Sequence, residues 1–377
     1  KRVIKVGGAY HGWSDQMVYG LKIPGTRQYL ESHGIPNQSF ELIDEVRTND
    51  LEMLEDYLKA NRRKGGTACV IVEPVGPESG TRPVAWNYNK GVELLCRKYG
   101  ALFIFDEVVT GFRVGLGGAQ GLFGVNPDLT IFGKIVAGGY PAAGGVGGKK
   151  EYVSCMAAGV ASGMKRAYVG GTLAANPLSA MAGYCAIKAI ADNDACVKAG
   201  HAGDRLTDGL VQLINKYNLP YVAYNQGSIV HLECTAAMSY DFSSKHLLKS
   251  LIPVLTKQDM IYVRKEAMEM MGAAYMANGI VTLAGSRLYT SMADTDEVID
   301  EALGKFEDVF KLVAERTAPM EQQVADFKKA HGKDKEGKAA KKAKAKQEIA
   351  QRNADAKKAA KQAAKDLKAL KAKTFKC

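Results

Sequence analysis

Three ionisable side chains in this 377-residue chain stand one or two residues after apolar runs that are typical of buried strands. The runs and the side chains that follow them are Ala68–Val72 with Glu73, Ala101–Phe105 with Asp106, and Leu129–Phe132 with Lys134. In an open parallel sheet, ligands bind beyond the carboxyl ends of the strands. The spacing therefore predicts a ligand site at which two carboxylates and one amine are available.

A lysine and an aspartate in these positions suit chemistry on an aldehyde cofactor. Burial in a dry cleft lowers the pKa of a lysine, and the neutral amine then forms a Schiff base with an aldehyde. If the aldehyde is that of pyridoxal 5'-phosphate, the ring nitrogen must stay protonated, and a carboxylate beside it achieves this. Lys134 and Asp106 fit the two roles, although a strand-end aspartate is often a helix cap and a lone lysine is usually a surface charge.

The elements that must position these groups alternate between strand and helix from Lys1 to about Ala191. Further segments of this part are a strand at Arg2–Val6 and helices at Asp50–Arg63, Asn89–Tyr99 and Ala174–Ala191. Repeated strand, loop and helix predict an α/β fold with a mainly parallel sheet. We expect this large domain to cover residues 1–192.

A second, smaller α/β domain is predicted over residues 193–316, where the pattern changes. Its expected helices are Gly203–Leu213, Val263–Met271 and Asp294–Glu315, and its expected strands are Gly227–Cys234 and Gly279–Ala284. Residues 317–377 form a tail rich in alanine and lysine, for which a helix or a disordered segment is expected.

The formal net charge of +11 is concentrated in this tail. Residues 317–377 contain 18 Lys/Arg and 7 Asp/Glu, whereas the preceding residues carry equal numbers of basic and acidic side chains. The tail is interpreted as a solvated segment, as an expression appendage, or as a tether to a polyanion such as nucleic acid or an anionic surface. The last interpretation gives an alternative function: a non-catalytic scaffold that binds through its tail.

Several other classes of protein are disfavoured by the sequence. No apolar run approaches the roughly 18 residues that a transmembrane helix needs. The seven cysteines are scattered without a C-x-x-C pair, and the histidines lack metal-ligand spacing, so neither a disulfide framework nor a metal site is expected. We expect a cytoplasmic protein, or one whose natural start is missing, because the chain begins at Lys1 without a signal pattern.

Six short segments occur in an order that resembles the class III, fold-type I aminotransferases, which use pyridoxal 5'-phosphate. They are Gly8–Gly12, Val72–Val75, Phe103–Arg113, Pro127–Ile135, Gly138–Pro141, and Gly170–Leu173 with Asn176-Pro177. The resemblance is closest to the branch that includes glutamate-1-semialdehyde 2,1-aminomutase, and it covers about residues 1–315. It implies a fold-type I large domain followed by a small C-terminal domain.

The resemblance also implies roles for individual residues. Lys134 resembles the lysine that binds the cofactor and moves the substrate proton, and Asp106 the carboxylate that pairs with the pyridine nitrogen. Val108 and Tyr10 resemble the residues that cover the two ring faces. The remaining cofactor-binding positions that the resemblance implies are His11 in the tyrosine loop, Glu78 near the phenolic oxygen, and Thr172, which binds phosphate across a dimer interface.

Two departures from the family pattern bear on function. The family's Ser-Gly-Thr phosphate loop lies upstream of the tyrosine loop, and this sequence starts too late to contain it; Ser79–Thr81 lies elsewhere in the order and is no substitute. The site is therefore either incomplete or completed by an absent segment. Glu78 stands where aminomutases usually place asparagine and many transaminases place glutamate.

The prediction from the sequence is an aminotransferase acting through a Schiff base on Lys134. It would move an amino group from an amino acid, a β-amino acid derivative or an amine to a 2-oxo acid such as 2-oxoglutarate. The alternatives within the family are the intramolecular amino shift of an aminomutase and, less favoured, a racemase. A homodimer is expected because the Thr172 contact only makes sense between subunits. The arginine that binds a substrate carboxylate stays open among Arg82, Arg113 and Arg287.

Overall fold

The computed structural model describes residues 1–20, 32, 34–141, 144–157, 166–234 and 258–331. The chain divides into two compact units, Lys1–Leu312 and Val313–Cys377. The strands are β1 (Arg2–Val6), β2 (Ile43–Val46), β3 (Thr67–Val72), β4 (Leu102–Asp106), β5 (Leu129–Phe132), β6 (Gly145–Gly148), β7 (Val222–Gln226), β8 (Ile229–Glu233) and β9 (Arg287–Tyr289). The α-helices are α1 (Leu51–Asn61), α2 (Pro77–Gly80), α3 (Tyr88–Tyr99), α4 (Gly118–Phe123), α5 (Lys150–Val153), α6 (Pro177–Asp192), α7 (Ala195–Lys216), α8 (Gln258–Ala277) and α9 (Asp296–His331).

Six strands form the larger sheet, in the spatial order β2-β1-β3-β4-β5-β6. All its neighbouring pairs are parallel except β5 with β6, which is antiparallel. Val70, Phe103 and Phe105 are fully buried in the core of this sheet. Such continuous apolar runs are typical of strands that are covered on both faces. The predicted mainly parallel α/β fold is therefore confirmed.

Helices α1 and α3 pack against each other beside this core. The Asp50 side chain accepts a hydrogen bond from the Met53 amide at 2.8 Å, so it is the N-cap of α1. Helix α3 ends at Gly100, whose left-handed backbone (φ 66°) turns the chain directly into β4. The helices predicted at Asp50–Arg63 and Asn89–Tyr99 are thus present, with ends shifted by one or two residues.

Three antiparallel strands, in the order β7-β8-β9, form a smaller sheet. Strand β8 confirms the prediction at Gly227–Cys234. The strand predicted at Gly279–Ala284 is wrong: this segment makes only an isolated bridge from Leu283 to Arg287. Left-handed residues Ala284 and Gly285 reverse the chain there, and the true strand follows the turn.

The last described helix, α9, begins near the expected start and continues to His331. The remainder of the predicted tail, residues 332–377, lies outside the described residues. No helix in the described ranges is both long and apolar enough to cross a membrane. The domain boundaries at 192/193 and 316/317 stay predictions.

Candidate active site

Adjacent strands of the larger sheet bring the candidate residues to one edge. Strand β1 leads into the loop that carries Tyr10 and His11, and β3 is followed by Glu73. Next along the sheet, β4 ends at Asp106 and β5 is followed by Gly133 and Lys134. Because these four strands are parallel neighbours, their carboxyl ends meet at the same edge.

Asp106 is buried at the end of β4, and its carboxylate is held by two neighbours. Nδ1 of His11 lies 2.7 Å from Oδ2 of Asp106, and the His11 side chain is only 2% exposed. The backbone N–H of Val108 donates to Oδ1 at 3.1 Å. Among the described residues, each carboxylate oxygen therefore has one partner and keeps a lone pair for a further donor.

Glu73 joins two loops of the site through both of its carboxylate oxygens. Its Oε1 accepts hydrogen bonds from the amides of Tyr10 and Glu78, each at 2.8 Å. Its Oε2 accepts from the amide of Ser79 at 2.5 Å and from the Ser79 hydroxyl at 3.2 Å. Complete burial raises the pKa of Glu73, partly offset by His11 and by the three amides. The loop after β1 and the turn after β3 are thus fixed to one side chain.

The turn after β3, which includes the four-residue α2, has an uncommon backbone that is not helical at its centre. Both Glu78 (φ 49°, ψ 56°) and Ser79 (φ 53°, ψ 44°) are left-handed although neither is glycine. Gly76 has φ 118°, and a Cβ added to it would lie 2.0 Å from the carbonyl oxygen of Arg82. Residues persist in such conformations only where their surroundings hold them, and Glu73 supplies part of that support.

The smaller sheet contributes Arg287 to the same turn. Its guanidinium donates to Oε1 of Glu78 at 2.9 Å and to the Glu78 carbonyl at 3.3 Å. Arg113 instead donates to the carbonyl of Thr290 at 2.7 Å and stacks over Tyr289, and burial lowers the pKa of Arg113. Of these two arginines, only Arg287 is bonded to a predicted site residue.

Lys134 follows β5 after Gly133 and has a left-handed φ of 52°. A Cβ on Gly133 would lie 3.1 Å from a Val108 methyl, so Val108 lies against the backbone just before the lysine. Lys134 is exposed in the single chain. The dry cleft that the sequence analysis invoked is therefore not formed around Lys134 by the described residues of one chain.

Tyr10 and Thr172 are placed differently from the residues above. Tyr10 is 46% exposed, with its backbone fixed by Glu73, and Thr172 is exposed before helix α6. The structure therefore gathers Tyr10, His11, Glu78, Asp106, Val108 and Lys134 at the edge of the larger sheet, while Thr172 has no hydrogen bond to that group in the described part of the chain. The role of each stays a prediction.

Lys149, a rival lysine in the sequence, has a structural partner. Its amine lies 2.6 Å from buried Asp128, which Arg97 also contacts at 2.5 Å. Burial alone would raise the pKa of the Asp128 carboxyl, but the contacts with Lys149, the Phe103 amide and Arg97 outweigh it and hold the pKa below its usual range. Lys149 therefore neutralises a buried carboxylate, which distinguishes it from Lys134.

Comparison with protein families matches residues 1–310 to the model described as aminotransferase class-III. A glutamate-1-semialdehyde 2,1-aminomutase from Persephonella marina is 32% identical over 318 residues, covering 82% of this chain and 68% of the relative. Another from Legionella pneumophila is 34% identical over 268 residues, covering 69% and 57%.

Solved structures show the same fold. An omega-transaminase from Sphaerobacter thermophilus superposes with a TM-score of 0.69 at 26% identity, covering 82% of this chain and 68% of that one. A transaminase with PLP bound gives a TM-score of 0.68 at 24% identity, covering 84% and 68%. The chain spans 56 to 68% of the length of the first curated relatives that it matches.

Proposed function

Because the chain belongs to the class III aminotransferase family, we propose that it transfers an amino group from an amino acid, a β-amino acid derivative or an amine to a 2-oxo acid such as 2-oxoglutarate. Pyridoxal 5'-phosphate is the cofactor of this family. The observation that carries the proposal is the Asp106 carboxylate, buried and oriented by His11 on the strand next to the one that leads to Lys134.

The donor set at the sheet edge fits the ring end of this cofactor. Asp106 is an oriented acceptor that has one partner on each oxygen within the described part of the chain, which leaves it able to accept from a protonated pyridine nitrogen. Val108 presents its methyl groups beside Gly133, and half-exposed Tyr10 stands on the loop fixed by Glu73, so both are available to cover a planar ring. Glu78 lies on the turn held by the same carboxylate and is the candidate neighbour of the phenolic oxygen.

Two residues carry the chemistry in this proposal. Bound pyridoxal phosphate supplies an electron sink for the charge left when a proton leaves the substrate carbon. Lys134 would hold the cofactor through its amine, and the same amine would serve as the base that moves the substrate proton. Asp106 keeps a proton on the ring nitrogen, and His11 keeps Asp106 in the orientation that this requires.

A substrate carboxylate would meet Arg287 in this proposal. The guanidinium is already paired with Glu78 at 2.9 Å, so an incoming carboxylate has to compete with a residue of the same charge. A substrate with an uncharged end leaves that pair intact. Acceptance of both a neutral amine donor and a dicarboxylic acceptor is therefore compatible with this site.

The second candidate function is the intramolecular amino shift of an aminomutase. It is favoured by the curated relatives, which are 32 to 34% identical and carry that name. Glu78 favours the transaminase, because asparagine is usual at that position in aminomutases. The two functions differ in one requirement: only the transaminase needs a separate amino acceptor.

The visible absorption spectrum of the protein loaded with pyridoxal phosphate tests the proposal. A transaminase loses its yellow absorption when glutamate is added and regains it with 2-oxoglutarate. A yellow band that ignores both compounds moves the assignment to the aminomutase, a racemase or another donor. Failure to develop any band with added pyridoxal phosphate contradicts the proposed site.

We further propose a homodimer in which Thr172 of the partner subunit binds the cofactor phosphate. Helix α6 supports a second copy, because Leu178, Met181 and Tyr184 are each more than 60% exposed on one side of it. Large apolar side chains grouped on one surface are typical of protein interfaces. Exposed Thr172 lies just before this helix, at a place where a partner could reach it.

The basic tail gives a further candidate activity, binding of a polyanion such as nucleic acid or an anionic surface. The supporting observation is that residues 317–377 hold the entire charge excess of the chain. Binding through such a segment weakens steeply with salt. Filter binding of RNA at 50 and 200 mM salt, with and without residues 332–377, tests it; equal binding by both proteins contradicts it.

A further inference from the structure

Three side chains of the smaller sheet form a continuous line across its strands. Tyr224 on β7 is the register partner of His231 on β8, and His231 is the partner of Arg287 on β9. The rings of Tyr224 and His231 stack with centroids 4.7 Å apart and planes 11° apart. Because paired residues point to the same face of a sheet, these three side chains form one row, called here the small-sheet row.

The small-sheet row lies against the turn Glu78–Thr81 that follows β3. At one end, the Tyr224 hydroxyl donates to the carbonyls of Gly80 and Thr81, at 3.1 and 3.2 Å. At the other end, Arg287 donates to the Glu78 carbonyl and carboxylate. His231 stands between these ends and is close enough to the backbone of Ser79 for that backbone to raise the pKa of the ring.

The opposite side of the same turn is held by Glu73, which accepts the amides of Glu78 and Ser79. The N–H groups of the turn are therefore bound by Glu73 at the end of β3, and its carbonyl groups are bound by Tyr224 and Arg287 of the smaller sheet. This arrangement accounts for two successive left-handed residues that are not glycine, since each side of the turn has fixed partners.

His231 is the unexplained member of the row. It is fully buried, and neither ring nitrogen has a well-formed hydrogen bond to the described residues. Burial, and then the charge of Arg287, lower the pKa of His231 to about 4, so the ring is neutral near pH 7. A neutral aromatic ring there fills the space between Tyr224 and Arg287 without repelling the guanidinium.

We propose that His231 is a positioning residue: through the small-sheet row, its packed ring holds the turn Glu78–Thr81 and so sets the position of Glu78 at the active site. The effect of Glu78's position on catalysis rests on the proposed function, whereas the role of His231 in holding the turn does not. The Arg287 guanidinium binds Glu78, and the Tyr224 hydroxyl binds the carbonyls at the end of the turn. The His231 ring fills the space between Tyr224 and Arg287 and so keeps these two side chains in place.

Hydrogen exchange of the Glu78 and Ser79 amides, measured on the protein without added cofactor, tests this directly. We expect His231→Ala to accelerate exchange in the peptide spanning residues 75–82 by about tenfold or more, because the ring that fills the row is lost. His231→Phe keeps a neutral stacking ring and should retain exchange within about threefold of the parent. His201→Ala, at an exposed histidine of α7, is the matched control.

Unchanged exchange in His231→Ala overturns the proposal. If His231→Ala instead accelerates exchange throughout β7, β8 and β9, Tyr224→Phe decides, because it removes one hydroxyl and no packing. If amide exchange in Tyr224→Phe is faster only in residues 75–82, the small-sheet row holds the turn as proposed. If exchange in Tyr224→Phe equals that of the parent protein, the proposal is contradicted.

A kinetic measurement separates this proposal from the proposed function. In a working transaminase, His231→Ala should lower KM for a dicarboxylic acceptor, because a loosened Glu78 competes less well for Arg287, and it should change kcat less; His231→Phe should restore KM. If no transamination is found but exchange at the turn responds as expected, the proposed function fails while the positioning role of His231 stands.

Discussion

At the scale of single residues, the site depends on side chains that organise backbone rather than touch substrate. Glu73 accepts four hydrogen bonds from two loops. On the first of these loops, the residue after Tyr10 is His11, whose ring orients the Asp106 carboxylate. Lys134 and Asp106 could be selected from the sequence because they follow apolar strands. Nothing in the sequence shows that Glu73 binds Tyr10 and Ser79 together, since that depends on the adjacency of β1 and β3.

Replacing Glu73 with glutamine should destabilise the protein by roughly 2–3 kcal/mol. Both oxygens of Glu73 accept N–H donors, so the amide nitrogen of glutamine would face a backbone N–H wherever it points. Urea unfolding measures the loss. Glu93→Gln is the matched control, because among the described residues buried Glu93 accepts one backbone N–H, a long 3.4 Å bond from Asn126, and otherwise pairs with the side chains of Lys90 and Arg97. Equal losses in the two variants would contradict the special role of Glu73.

His231 should make stability depend on pH in a defined window. Its pKa in the folded protein is about 4, below the ordinary 6.5, so the unfolded chain takes up the proton first as the pH falls. The free energy of unfolding is therefore fully retained above pH 6.5 and falls between pH 6.5 and 4, by about 3 kcal/mol in total.

The comparison with His231→Phe isolates this contribution from other groups that face the ring or its partners, namely Arg287, Tyr224, Glu78 and Glu73. Denaturant titrations at pH 7, 5.5 and 4.5 should show the difference between parent and variant changing with pH. His201→Phe should show no such change, since the His201 side chain is 71% exposed. A pH-independent difference for His231→Phe would show that the buried ring is not kept neutral.

At the scale of elements, the strands that end at the site were predictable and the turn that follows β3 was not. Continuous apolar runs identify β3, β4 and β5, because both faces of the larger sheet are covered. Strand β6 consists of Gly145–Gly148 and has no such pattern; its hydrogen bonds to β5 create it. The three-residue β9 also lacks a continuous apolar run, and the sequence pattern predicts a strand at the more apolar Gly279–Ala284 before it.

Gly76→Ala tests whether the turn after β3 tolerates any side chain. The new Cβ would meet the Arg82 carbonyl oxygen at 2.0 Å, so we expect a loss of stability well above the roughly 1–2 kcal/mol of a left-handed alanine. Gly100→Ala is the matched control: Gly100 also has a positive φ, of 66°, but no heavy atom of the described residues lies within 4 Å of an added Cβ. Thermal unfolding of both variants decides, and similar losses would contradict the account of the turn.

At the scale of the whole molecule, the contact between Arg287 and Glu78 joins positions 209 residues apart. The sequence does not distinguish among Arg82, Arg113 and Arg287, because the contact depends on how the two sheets pack and strand periodicity carries no information on that packing. The family resemblance predicts the fold, whereas only the structure shows that Glu78 contacts Arg287 and Glu73.

Met181→Glu should disrupt the proposed homodimer. Met181 is 62% exposed near the middle of the apolar side of α6, and a carboxylate buried there without a partner is costly. We expect the dimer dissociation constant to rise at least about tenfold, measured by light scattering across a dilution series. Val197→Glu, at a position of α7 that is 71% exposed, is the control and should leave assembly unchanged. A parent protein that is monomeric at micromolar concentration would contradict the dimer.

Chemical trapping of the cofactor tests whether Lys134 is the lysine that binds pyridoxal phosphate. The protein is incubated with pyridoxal phosphate, reduced with borohydride and digested, and the modified peptide is sequenced by mass spectrometry. We predict a pyridoxyl group on Lys134, lost in Lys134→Ala and retained in Lys149→Ala, whose side chain neutralises Asp128. Modification of Lys149 or another lysine in place of Lys134, or no modification at all, would contradict the assignment of this site.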